Sequence, residues 1–249
     1  MLGSSNSIAC ANIMLNSAVA DTLRIYADRL EGVEDFETAL HEMIRKTIKD
    51  HKRIIFNGNG YDDDWIREAT EERGLLNYRT TPDCMPHLLD QKNADMLIGE
   101  GVFTRAELES RCEIMLDNYN KAVQIEANTM ISMVKEKIAP AVSAYTATLA
   151  NTIHLKKGVQ NDVACGYEST VLTKLSSLND AIMSKTVQLE DTEEDLRNIG
   201  DTIELGYAIR DKLLPEMSEL RVLVDQAETM TAKSYWPYPS YGDILFSVR

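Results

Sequence analysis

Proline and glycine are scarce in this 249-residue chain, with six and twelve copies respectively. β-Branched runs are confined almost to residues 54–56. With so few breakers and so few strand formers, an all-β architecture is excluded and a mainly helical one is expected. Basic charge is also in deficit, the formal net charge being -14 at pH 7. Nucleic acid and anionic membrane surfaces need a cationic face to replace counterions, so neither is an expected partner. No run approaches the roughly 20 apolar residues of a membrane helix. The apolar patch from Ile8 to Ala20 is interrupted by Asn12 and Asn16 and preceded by no basic residue, so it does not read as a signal peptide.

Metal and redox motifs are missing in the same way. Cys10, Cys84, Cys112 and Cys165 form no CxxC pair, and reduced, largely buried thiols in a cytoplasmic protein are expected. His41, His51, His87 and His154 are dispersed, and His41-Glu42 lacks the second histidine of an HExxH zinc site. No GxSxG motif announces a serine nucleophile. What is present is a soluble balance of 44% hydrophobic and 27% charged residues, enough to bury a substantial core.

One stretch, Arg53 to Trp65, brings together an apolar run, a glycine pair and three carboxylates. Ile54, Ile55 and Phe56 read as a short buried strand or extended segment, Asn57 to Gly60 as a turn, and Asp62, Asp63 and Asp64 as the acidic start of a helix. A phosphate cradle is rejected because only Gly58 and Gly60 are present and the aspartates repel an anion. A calcium loop counted from Asn57 puts Asn59 third and Glu68 twelfth, but its glycine is misplaced and Tyr61 takes a ligand position. Strand, turn and capped helix is the preferred reading.

Elsewhere the apolar spacing marks helices. Ile8, Ala11, Leu15, Ala18 or Val19, Leu23, Tyr26 and Leu30 line a first helix ending near Gly32, and Asp35 caps a second carrying Phe36, Ala39, Leu40, Met43, Ile44 and Ile48; the two read as a packed hairpin. A short helix containing Trp65 and Ala69 stops at Gly74. Thr81 is the expected cap of a helix that has Pro82 in its first turn and carries Leu88, Leu89 and Leu97. Thr104 to Glu107 is a capping box opening a helix of about 35 residues, interrupted at Pro140. After a loop between Gly158 and Gly166, Leu175, Ile182, Leu189, Leu196 and Ile203 recur every seven residues, as in a long helix packed antiparallel in a bundle. Its companion series Val171, Leu178, Lys185, Thr192 and Ile199 is mixed, and the acidic run Glu190, Asp191, Glu193, Glu194 and Asp195 reads as a solvated face. KEKIAPAV (135–142) and RDKLLPEM (210–217) look alike. In the tail, 234–249, Tyr235, Trp236, Tyr238, Tyr241 and Phe246 surround Pro237 and Pro239; those rings should dock on their own bundle or on a neighbouring subunit.

LGSSNSIACANIMLN at the start, RIIFNGNGYDDDW, TRAELESRCEIMLDNYNKAVQIEANTM and WPYPSYGDILF resemble, in order, the carboxy-terminal part of type III glutamine synthetases. The resemblance implies that residues 1–52 are closing helices of a truncated catalytic domain and that residues 53–249 are a C-terminal helical domain. Gly3, Ser4, Ser5 and Asn6 would flank the parent active site, although a plain helix-entry turn is preferred for them. For the whole enzyme it implies ATP-dependent ligation of ammonia to glutamate with Mg or Mn, and a homo-oligomeric ring. No catalytic or metal-binding residue is assigned to this chain, and no cofactor is expected for it. The alternative is a free-standing helical scaffold that binds a protein partner.

Overall fold

The computed structural model describes residues 7–246. Among them there is no strand, and helices fall into two compact units, one reaching Ile114 and one beginning at Met115.

In the first unit α1 (Ala9–Leu30) and α2 (Phe36–Asp50) are separated by Gly32, whose φ of 72° is a left-handed conformation that glycine adopts without a Cβ penalty. The Asp35 carboxylate accepts from Thr38 N at 3.1 Å, as its capping role requires. The two helices meet where Tyr26 Oη donates to Thr47 Oγ1. The expected faces are only partly covered: Tyr26, Leu30, Ala39, Leu40 and Met43 are half-buried, whereas Ile8, Leu15, Val19 and Leu23 stay exposed, as do Phe36, Ile44 and Ile48. Met14 instead packs on a small core of Ala94, Leu97 and Leu108.

Residues 52–74 correct the reading of a buried strand. Lys52–Ile54 is a 3-10 turn, Ile55 is extended, and Ile54 and Ile55 are 57% and 51% exposed. Too few apolar residues surround them to bury an extended segment. The following helix α3 (Asp63–Arg67) runs into a π turn over Glu68–Glu72 and stops before Gly74, which has φ 63°. The segment expected as one helix from Thr81 is broken. Its pieces are α4 (Thr81–Cys84), a 3-10 turn Met85–Leu89 and α5 (Gln91–Gly99), with Asp90 in an extended conformation between them. Pro86 supplies no N–H to an α-helical ladder, which accounts for the break. The cap position falls at Thr80, one residue before the expected Thr81, so that Pro82 occupies the first turn. Both arms of the Thr104 capping box form at the start of α6 (Arg105–Met133): Thr104 N donates to Glu107 Oε2 at 2.8 Å and Glu107 N to Thr104 Oγ1 at 3.3 Å.

In the second unit α6 continues through a π turn, Val134–Ile138, into α7 (Ala139–Val159). Pro140 therefore neither ends the run nor leaves it regular. The Ala139 N–H reaches back five residues to Val134 O, and this wider turn comes just before the residue that lacks a donor. α8 (Gly166–Leu196) returns alongside: Lys156 pairs with Glu168 at one end and Lys135 with Glu190 at the other, which fixes an antiparallel packing. α9 (Thr202–Ala208) is capped by Asp201, and a second π turn, Ile209–Leu213, leads to α10 (Leu214–Met230), with Pro215 in its first turn. The two look-alike octapeptides are thus the same device, a five-residue π turn followed at the same distance by proline. α10 also runs antiparallel to α8, with Gln188 Nε2 donating to Glu216 Oε1 at 2.9 Å and Lys185 paired with Glu219.

Leu175, Ile182, Leu189 and Leu196 are all buried in the seam of α8, while Ile203 lies beyond the break in α9. Thr186 and Glu193, seven residues apart, are also buried in α8, with Leu172 and Asn179 half-buried at the same interval. Three of these four side chains are polar, so the line is absent from the apolar pattern. Tyr235, Trp236 and Tyr238 pack onto this core, and α11 (Tyr241–Leu245) follows.

Candidate functional site

The carboxylates near Gly58 and Gly60 are held in local structure. Asn59 Oδ1 accepts from Tyr61 N at 3.1 Å, Asp62 Oδ1 caps α3 through Asp64 N at 3.0 Å, and Asp64 pairs with Arg67 at 3.3 Å. Around them Phe56 stacks on Trp65 with centroids 3.7 Å apart and planes 12° from parallel, and the Arg73 guanidinium lies 4.9 Å from the Trp65 ring. Arg73 Nη1 donates to the carbonyls of Arg53 at 3.1 Å and Ile55 at 2.9 Å, while Nε and Nη2 hold Glu68. The planar fork of arginine makes this staple. It escapes sequence reading because its carbonyl partners are up to 20 residues away and carry no residue-type signal. Gly58 is required by close approach: a Cβ there would stand 2.6 Å from Phe56 Cζ.

The metal ions implied for the whole enzyme need clustered ligands. Among the described residues no three His, Cys, Asp or Glu side chains come together in a group able to hold one. This part of the chain does not fit them, and no step is derived through metal or nucleotide. Gly3, Ser4, Ser5 and Asn6 lie outside the described residues.

The acidic run of α8 is not wholly a solvated face. Glu193 is 4% exposed, with Oε1 accepting from Asn128 Nδ2 at 2.8 Å and Arg197 3.7 Å away, and Glu190 is paired with Lys135. Asn120, also buried, donates through Nδ2 to Thr202 O at 2.9 Å where α9 begins. Two of the four thiols, Cys112 and Cys165, are buried, while Cys84 is exposed and Cys10 half-buried. Burial pushes the Cys112 thiol up, and partial desolvation does the same to the Cys84 thiol although the residue is exposed, so neither environment favours the thiolate.

The aromatic tail divides. Tyr235 and Thr148 share a hydroxyl hydrogen bond of 2.8 Å, the Tyr235 and Tyr145 rings lie 5.2 Å apart, and Lys137 sits over the Tyr238 ring at 5.6 Å. Tyr145 also meets Tyr167 at 3.4 Å; that hydrogen bond, with burial, pushes its hydroxyl up to about 12. Tyr241 and Phe246, by contrast, are 84% and 82% exposed. They flank a helix fixed by a Ser240–Asp243 capping box and by Lys233, and these contacts, with Lys233 first, hold the Asp243 carboxyl well below the usual carboxylate range.

Residues 39–157 match a family model, the glutamine synthetase C-terminal domain. The chain is 35% identical over 87% of its length to a glutamine synthetase of Butyrivibrio fibrisolvens, of which it covers 31%. It is 29% identical over 98% of its length to a type-3 glutamine synthetase of Dictyostelium discoideum, covering 34% of that protein. A glutamine synthetase of Bacteroides fragilis (strain YCH46) is 28% identical over 98% of the chain and covered to 35%. The chain thus spans about a third of the length of these relatives. With the family's C-terminal domain at residues 39–157 and full-length similarity to its long members, the chain belongs to the glutamine synthetase family.

Proposed function

We propose that this chain serves as the helical carboxy-terminal part of a cytoplasmic glutamine synthetase, supporting placement and homo-oligomer assembly, and is catalytically silent by itself. In the whole enzyme the reaction is ATP-dependent ligation of ammonia to glutamate through a γ-glutamyl phosphate, with divalent metal and nucleotide held by residues preceding those of this chain. Division at residues 52 and 53, closing helices before and assembly domain after, is part of this reading.

The observation that carries it is an apolar face of α1 left exposed among the described residues. Ile8, Leu15, Val19 and Leu23 recur at helical spacing yet face solvent, Leu15 being 66% exposed. A continuous apolar stripe in water is a docking face, and relatives about three times as long have the chain to cover it. No helix among the described residues is long and apolar enough to cross a membrane. Coding DNA upstream of Met1 tests the reading. An open frame continuing into a strand with a metal-binding glutamate and a substrate-binding arginine supports it; an in-frame stop behind a ribosome-binding site refutes it in favour of a free-standing scaffold.

A further inference from the structure

Where α2 ends, Ile48, Lys52, Arg53, Ile55 and Arg73 line a shallow groove of about 510 Å³, within the size range of small-molecule sites. Its charge runs against the rest of the molecule. In a chain of net charge -14, residues 45–53 hold Arg45, Lys46, Lys49, Lys52 and Arg53 against the single acid Asp50, which is paired with Lys46 at 2.6 Å. Arg73 is already engaged by Glu68 and by the backbone carbonyls of Arg53 and Ile55, so it is a fixed wall and adds no free charge. Lys52 and Arg53 make no ion pair among the described residues, leaving their donors available to a ligand. Ile48 and Ile55 form apolar walls, both about half exposed.

We propose that this groove binds a small organic phosphate, with the phosphate on Lys52 and Arg53 and an apolar body against Ile48 and Ile55. The pairing follows from the chemistry of each wall. A compact ammonium and a guanidinium fork both suit phosphate oxygens, and the isoleucines gain by covering apolar ligand surface. A long polyanion is disfavoured, because beyond this patch it meets a strongly negative molecule. The inference stands independently of the assembly role proposed above, since it rests on the groove alone.

Trp65, stacked beneath Arg73, is a built-in reporter, and Trp236→Phe leaves it as the sole tryptophan. Phenyl phosphate titrated into the full chain should change Trp65 fluorescence saturably, and bind at least tenfold more tightly than inorganic phosphate or phenol. The double variant Lys52→Ala, Arg53→Ala alters only exposed side chains, and should weaken phenyl phosphate at least tenfold with an unchanged circular dichroism spectrum. Saturation-transfer NMR on the unsubstituted chain, observing the phenyl protons, makes the ligand comparison without the Trp236 change. Equal affinity for inorganic phosphate or for phenol, or undiminished binding in the double variant, would overturn the proposal.

Discussion

Asn128 Nδ2 donates to Glu193 Oε1 at 2.8 Å, tying α6 to α8 through a carboxylate almost wholly removed from water. The second oxygen of Glu193 has no hydrogen-bond partner. Removing the donor alone therefore leaves a buried acceptor poorly satisfied. Asn128→Ala should cost about 1–3 kcal/mol, whereas Asn128→Leu with Glu193→Leu should recover most of that loss, since two apolar groups need no partner. Urea unfolding of the single and double variants measures the difference, and additive losses would show that the pair is not coupled.

The α8 seam makes a contrast within one helix. Leu189→Ala removes a fully buried side chain and should cost about 2–5 kcal/mol through lost transfer energy and a cavity. The equally apolar Val187, two residues away and exposed, should change stability by less than about 0.5 kcal/mol when replaced by alanine. Thermal unfolding of both variants reads the burial pattern directly.

How much of this was legible depends on the range of the interaction. Asp35, Asp62 and the Thr104–Glu107 box were readable because a cap is satisfied within three residues. Leu175, Ile182, Leu189 and Leu196 were readable because period and burial coincide. The burial of Thr186 and Glu193 was not, because a helix can bury polar side chains that find partners, Thr186 on Ile182 O of its own helix and Glu193 on Asn128 of another. Arg73 was invisible for a similar reason: it binds main-chain carbonyls, which every residue possesses. The stripe on α1 was read correctly as a helix face, but Ile8, Leu15, Val19 and Leu23 on it are left exposed beside α2, since periodicity shows that a face is apolar and is silent on what covers it.

Two ionisable groups make pH predictions of opposite sign. Tyr145 is raised from its ordinary value to about 12, so its neutral hydroxyl stabilises the fold fully below pH 10. That contribution disappears between about pH 10 and 12, where the unfolded phenol ionises and the folded one resists. Tyr145→Phe should flatten the alkaline loss of stability. Asp243 is lowered, so its contribution is complete above the unfolded aspartate range and is lost only as pH falls through the depressed folded value. NMR titration of the carboxyl carbon should place its midpoint below that of an ordinary aspartate, and Lys233→Ala should move it back up.

The divided tail separates packing from assembly. Trp236→Ala should lower stability, because that ring packs against the main core. Tyr241→Ala with Phe246→Ala should leave the melting temperature unchanged, since both rings are exposed, and should reduce the molar mass in solution if α11 bridges subunits. Light scattering and calorimetry on the same samples distinguish the two roles. Unchanged mass would remove α11 from the assembly account.

The central claim is that this helical region places and assembles a ligase and performs no ligation alone. Incubating the purified chain with ATP, glutamate, ammonium and magnesium, and measuring phosphate release, tests that claim most directly. Release no greater than the enzyme-free blank is predicted; clear turnover dependent on glutamate and ammonium would contradict it.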